Sequence, residues 1–360
     1  MRVLFFCLRR LICRGIAAFG FLLASAGMSS QAAPVDLLAR PAPENPQSTN
    51  AVLMDVTRAG ANLVAVGERG LVLISSDNGQ SWQQASVPVS VSLTKVHFVD
   101  DRQGWVVGHG GVVLHTQDGG RNWVRQLDGF AAAQLEVDAA ARSGDPGRQR
   151  NAARLLAEGA DKPWLDVLFV DARRGWVLGA YGLLLVTADG GASWQSVMGE
   201  IDNPAGLHLY SMLVAGERLM IVGEQGAVFE SRDGGRHFSR LESPYEGSFF
   251  GALASREGDV LAYGLRGHLW RLAAGSDDWQ AVPLGSALTL TAGLRVGDGA
   301  LLLADEAGRL YYSHDSGAHF RPMADGANGY VSGLVQAPDG AFVVAGIRGV
   351  QRLQFSQVQP

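Results

Sequence analysis

Cysteine is almost missing from this 360-residue chain: the two present, Cys7 and Cys13, both fall in the first 13 residues. Everything downstream must therefore fold without a disulfide, even in an oxidising compartment. Basic charge is also scarce. Four of the 30 basic residues (Arg2, Arg9, Arg10, Arg14) lie within residues 1–32, where there is no acid, so the remainder carries 26 basic against 35 acidic residues, a net charge of −9. A surface of that sign argues against a nucleic-acid binder, which needs cations for phosphate contacts, and against adhesion to anionic lipid. The one long uncharged run, Ile16–Met28, is short for a membrane span. Metal and nucleophile patterns are absent too. The eight histidines are scattered without His-x-His or His-Glu-x-x-His spacing, no Gly-x-Ser-x-Gly elbow occurs, and the glycine-rich turns are not followed by helices that could hold phosphate. No metal or cofactor is expected.

The basic start, the apolar run and Ser30-Gln31-Ala32 read together as an export signal, residues 1–32, cut after Ala32. Arg9-Arg10 raises a twin-arginine route, from which the following Leu-Ile-Cys departs, and Arg10-Leu11-Ile12 makes a poor lipobox before Cys13. Residues 33–50 form a Pro-rich leader. An apolar stretch near Val35–Leu38 could supply a strand that closes a ring, or the whole leader could be flexible.

What the chain has in abundance is glycine, 47 residues, and it is periodic. In residues 104–123, GWVVGHGGVVLHTQDGGRNW, an apolar run reaches Gly108-x-x-Gly111, and a second run leads into Thr116-x-Asp118-x-Gly120-x-x-Trp123. The second turn glycines are Gly70, Gly111, Gly182, Gly226, Gly267, Gly308 and Gly349, spaced by 41, 71, 44, 41, 41 and 41 residues. The closing aromatics Trp82, Trp123, Trp194, Phe238, Trp279 and Phe320 repeat the same steps. The glycines thus mark seven units, the aromatics agree over the first six, both place one insertion after the second, and a period near 40 built of short strands predicts an all-β seven-bladed β-propeller over residues 51–356. The Gly-x-x-Gly turn is expected to supply positive φ, and the corner to be held by its hydroxyl, its acid and its aromatic: Asp77 with Trp82, Asp118 with Trp123, Asp189 with Trp194, Asp233 with Phe238, Asp315 with Phe320. Unit five carries Leu272 and Ala274 in place of the hydroxyl and the acid.

The insertion, residues 128–162, changes composition. GFAAAQLEVDAAARS and RQRNAARLLAEG are helix-prone, with Asp145 as a cap, Pro146 at a first helical position and Gly159 as a stop, which predicts a helical hairpin between blades two and three on the face of the Gly-x-x-Gly turns. It reads as a partner or exporter contact, or as a tolerated surface excursion.

Ser/Thr-x-Asp-x-Gly-x-x-Trp is the Asp-box, or BNR repeat, of sialidase-like propellers. With Gly104-Trp105 and Gly175-Trp176 before the turns and seven close units, the chain resembles the photosystem II stability and assembly factor family. The resemblance implies a non-catalytic platform that holds a membrane-protein subunit during assembly, photosystem II in that family, in the periplasm or a thylakoid-lumen-like compartment. It also implies an arginine-rich patch on one face. Arg69, Arg266 and Arg348, inside the turns of units one, five and seven, are similar to part of one, with His109 and Tyr181 completing the expected turn-face partner site. An accessory of a membrane exporter is the alternative in the same class. A glycoside hydrolase would need three clamping arginines, a Tyr–Glu pair and an acid at the propeller centre. The Phe-Arg-Ile-Pro motif is absent, Phe320-Arg321-Pro322 follows an Asp-box, and the Asp-box acids belong to outer corners, so no catalytic residue is assigned.

Overall fold

Among the described residues, seven antiparallel sheets follow one another along the chain, six of four strands and the last of three, each ordered from an inner strand outwards. The computed structural model describes residues 36–354; the export signal, both cysteines, Ala33 to Val35 and residues 355–360 lie outside the described residues. The second strand of each blade, such as Gly104–Gly108 or Val260–Gly264, is buried apart from the half-buried first residues Asn62 and Arg218 of blades one and four, which is why these segments read as unbroken apolar runs rather than alternating ones. Neighbouring blades share cores: Val64 and Val66 of blade one meet Val96 and Val106 of blade two, and Trp105 and Val107 meet Trp164 and Val177 in the next.

The corners work as their residue types require. Ser75 Oγ donates to Asp77 Oδ1 (2.8 Å) and accepts the Gly79 amide (2.8 Å), Asp77 accepts the Ser81 amide (2.8 Å), and Trp82 Nε1 donates to the Gly79 carbonyl (3.3 Å). The hydroxyl–acid bond and the bonds to the two amides recur around Asp118, Asp189, Asp233 and Asp315, whereas the indole bond recurs only at Trp123, since Trp194 Nε1 finds no partner among the described residues and the last two corners close with Phe238 and Phe320. The Ser81 hydroxyl and amide, then Ser75, hold the Asp77 carboxyl down at about 2. Blade five, lacking hydroxyl and acid, borrows Asp259 from the adjacent hairpin. Asp259 accepts the Ala274 amide (2.7 Å) and pairs with Arg271 (2.7 Å).

The first turn glycine has a different role from the one expected of it. Gly67, Gly108, Gly179 and Gly223 are extended, and only the later positions take positive φ. What selects glycine there is contact, since a Cβ on Gly67 would lie 2.2 Å from the carbonyl oxygen of Val52, the residue just before the inner strand Leu53–Ala59. The leader also differs. Asp36–Leu38 make no strand, the Leu37 carbonyl accepts from Ser90, and Ala42 bonds to Val87, so this segment lies against blades one and two. The ring closes instead by packing of blades one and seven, through Leu53, Ala65, Val335 and Val343, with Ser332 Oγ donating to the Leu53 carbonyl (2.8 Å).

The insertion is the predicted hairpin: α1, Gly129–Ser143, capped by Asp128, and α2, Pro146–Glu158, capped by Asp145. Buried alanines on α1 allow close packing, and buried Glu136 pairs with Arg148 of α2 (2.8 Å) and accepts from Ser196 of blade three. A Cβ on Gly111 would meet Gly129 Cα at 2.4 Å, which puts the hairpin hard against the blade-two turn.

Candidate functional site

The turn between the second and third strands and the Asp-box between the third and fourth lie at opposite ends of each blade, so the molecule has two distinct faces. Arg69, His109, Tyr181, Arg266 and Arg348 are all exposed on the turn face. Arg69, Tyr181 and Arg266 occupy φ of 56°, 58° and 58°, a left-handed conformation that costs a non-glycine residue on the order of 1 kcal/mol and aims the side chain out of the turn. None of Arg69, Arg266 and Arg348 forms an ion pair among the described residues. The three share a face, and no contact joins them. Arg266 lies near Tyr245, and Arg348 beside Gly329.

Tyr181 is the member around which other groups gather. Lys162 sits over its ring (5.3 Å), His208 packs beside it (4.9 Å between centroids), His208 stacks near Tyr210 (6.3 Å), and Tyr210 meets Phe250 edge-on (5.4 Å). This strip runs from the end of the insertion to the mouth of the axial channel, and Tyr181 is 55% exposed. Phe130, at the first turn of α1, is exposed to the same extent.

The channel itself, about 320 Å³, is lined by the inner strands of all seven blades. Each inner strand has a register shift after its first residue, and the position that follows lines the channel: Asp55, Lys95, Asp166, Ser211 and Ala292 contribute side chains, and Gly251 and Gly333 occupy the same position with backbone alone. Lys95 pairs with buried Asp55 (3.3 Å). Asp166 has backbone partners only, the amides of Val167 (2.8 Å) and Met212 (2.7 Å). Burial pushes its carboxyl up to about 6, with Lys95 opposing. Burial also raises Asp55, and raises Tyr263 to about 12, while Asp55 and Asp166 outweigh burial to hold Lys95 above its ordinary value. Among the described residues the channel lining contains neither arginine nor glutamate, the residue types that a sialidase's carboxylate clamp and Tyr–Glu pair use. Sequence reasoning missed Asp55, Lys95, Asp166, His208, Tyr210 and Phe250. The signal was available as a column of the repeat, two residues beyond buried Leu53, Leu93 and Trp164.

Fold and corners define the class: an Asp-box seven-bladed β-propeller whose turn face is decorated by an insertion. Within that class the chain belongs to the family described as photosynthesis system II assembly factor YCF48, whose model matches residues 44–130 and 151–247, just over half of the chain. The break between the two segments falls in the insertion. The photosystem II assembly lipoprotein Ycf48 of Synechococcus sp. (strain CC9902) is 26% identical over 157 residues, 42% of this chain and 46% of that protein. The chain therefore matches just under half the length of this curated relative. Among solved structures, YCF48 bound to a D1 peptide superimposes with a TM-score of 0.63 at 17% identity, over 86% of this chain and 95% of that one. YCF48 from Cyanidioschyzon merolae gives 0.61 at 17%, covering 86% and 97%, and the WD40 propeller of Doa1 gives 0.62 at 10%, covering 89% and 97%. At such identities these likenesses speak for the fold.

Proposed function

We propose that this chain is an exported, non-catalytic capture platform that holds a segment of a membrane-protein subunit on its turn face while a larger complex is assembled, in the periplasm or a lumen-like compartment. The observation that carries the reading is the aromatic strip from exposed Tyr181 through half-buried His208 and Tyr210 to Phe250, flanked by turn arginines that have no ion-pair partner within the described chain. Aromatic faces and unpaired guanidinium groups are what a docking surface offers to an extended, acid-bearing segment. Family membership, and a solved relative named for its bound D1 peptide, favour a photosystem II subunit as the partner. No helix among the described residues is long and apolar enough to cross a membrane, so the partner supplies the attachment in this reading.

The test is a crosslinking pull-down of the mature protein from its own cell envelope. Beside it run a variant lacking residues 130–160 and one with Arg69, Arg266 and Arg348 all changed to Glu, each checked for native circular dichroism. Recovery of a membrane-protein subunit that the triple variant loses supports the turn-face site. Equal recovery by the triple variant and loss only with the deletion would move the site to the insertion.

A further inference from the structure

One column of the repeat changes character in blade five. The last residue but one of each second strand is aliphatic in six blades, Val66, Val107, Leu178, Val222, Ala304 and Ala345, and is Tyr263 in the fifth. Opposite it on the inner strand stands Gly251, and a Cβ there would lie 2.3 Å from the Tyr263 hydroxyl oxygen, so this glycine is what admits the hydroxyl to the axial channel. Tyr263 is 6% exposed, and its hydroxyl has no hydrogen-bond partner among the described residues. The hydroxyl of Ser211 in blade four, half-buried in the same lining, has none either. Packing does not require these oxygens, since Phe and Ala would fill the same space without burying a polar group. Beside them lies Asp166 of blade three. Asp55 and Asp166 both staple their blade to the next, through the Val96 amide (3.1 Å) and the Met212 amide (2.7 Å). Asp55 also holds the Lys95 ammonium, whereas Asp166 has no cation bonded to it among the described residues. Three oxygen-bearing side chains from consecutive blades, one of them an acid, thus line one side of the channel. One residue nearer the turn face, ~3.3 Å along the strands, the same three blades present half-buried Leu165, Tyr210 and Phe250.

We propose that this side of the channel is a seat for a primary alkylammonium group, the side chain of a lysine in the segment held on the turn face. An ammonium carries three N–H donors for the oxygens of Asp166, Ser211 and Tyr263, and its apolar stem matches the collar above them. The rings of Tyr210 and Phe250 at the entrance suit the passage of a cation. Tyr210 also ends the strip that begins at Tyr181, so a segment laid along the strip reaches the axis at this seat. The lysine comes from another molecule. The whole sequence has only two, Lys95 in the channel wall and Lys162, which is 12% exposed and held by Asp161 and Glu158. The source of the amine rests on the capture reading; the ammonium seat does not.

The probe is Nα-acetyl-lysine N-methylamide, titrated into the mature protein and followed by NMR beside its norleucine counterpart, which has the stem without the ammonium. Saturable binding of the lysine probe is expected, with the norleucine probe weaker by about tenfold or more. Tyr263→Phe and Ser211→Ala, which remove no hydrogen bond of the fold, should each weaken the lysine probe several-fold and leave the thermal midpoint in place. Asp166→Asn should weaken it about tenfold or more. Equal binding of the two probes, or indifference to both hydroxyl variants, would overturn the seat. n-Butylamine, with stem and head but no peptide amides, is expected to bind more weakly than the lysine probe; tighter binding would replace the captured lysine by a free amine. The titration needs no partner, so a pull-down that recovers no subunit while the lysine probe still binds strikes the capture reading and leaves the ammonium seat standing.

Discussion

Replacing Asp259 by Ala should cost more than replacing any of the intact corner acids, although no sequence motif marks it. Its carboxylate is 6% exposed and makes two bonds of 2.7 Å, to the Ala274 amide and to Arg271, itself 19% exposed. Arg271 also donates to the Ser316 carbonyl of the blade-six corner (3.2 Å), so the pair ties two blades together. Removing the carboxylate leaves an amide without its partner, about 1–3 kcal/mol, and strands a buried guanidinium, for which breaking a buried pair costs about 3–5 kcal/mol. The two penalties overlap, and Arg271 keeps its bond to Ser316, so a loss of about 3–4 kcal/mol is expected. Urea unfolding followed by tryptophan fluorescence measures it, within a cycle that includes Arg271→Met and the double variant. A coupling energy of about 1–3 kcal/mol between the two positions is expected. A cost below about 1 kcal/mol, or additivity within error, would refute the claim that Asp259 rebuilds the decayed corner.

Trp123→Ala should lower stability by about 3–5 kcal/mol, because the ring fills the core between blades one and two; an unchanged thermal midpoint would contradict its anchoring role. Arg266→Gly should preserve or raise stability, by up to about 1 kcal/mol, by relieving a φ of 58°, and at the same time weaken partner capture; loss of both would mean that the side chain serves folding. Asp166 gives a pH signature. Its carboxyl titrates higher folded, about 6, than unfolded, where the ordinary value is 3.8, so the folded state binds more protons in between and stability should fall as pH rises from about 4 to 6. Asp166→Asn should flatten that slope, which denaturation midpoints across the range would reveal; an identical slope in the variant would assign it to other groups.

The propeller was legible because its two markers are local: a Gly-x-x-Gly turn and an Asp-box corner each declare themselves within eight residues, and their common period counts the blades. The insertion was legible for the same reason, since Asp145-Pro146 and Gly159 mark their own helix ends. What escaped was whatever depends on ring closure. Asp55, Lys95 and Asp166 are separated by 40 and 71 residues and meet only because three inner strands converge on one axis. Asp259 escaped because it repairs a corner from a different turn. The role of Gly67 and its equivalents was read as positive φ, whereas the carbonyl just before the inner strand, approaching from outside the motif, is what excludes a side chain. The leader's apolar residues suggested a closing strand, but Leu37 and Leu38 find their neighbours on blades one and two instead.

Site-specific photocrosslinking in the native envelope tests the central claim most directly. A photoreactive residue would be placed at position 181 on the turn face in one variant and at position 237, on the opposite face, in another. The account predicts a membrane-protein subunit crosslinked from position 181 and lost when Arg69, Arg266 and Arg348 are reversed to Glu. The same subunit crosslinked only from position 237, or from position 181 regardless of the arginines, would contradict it.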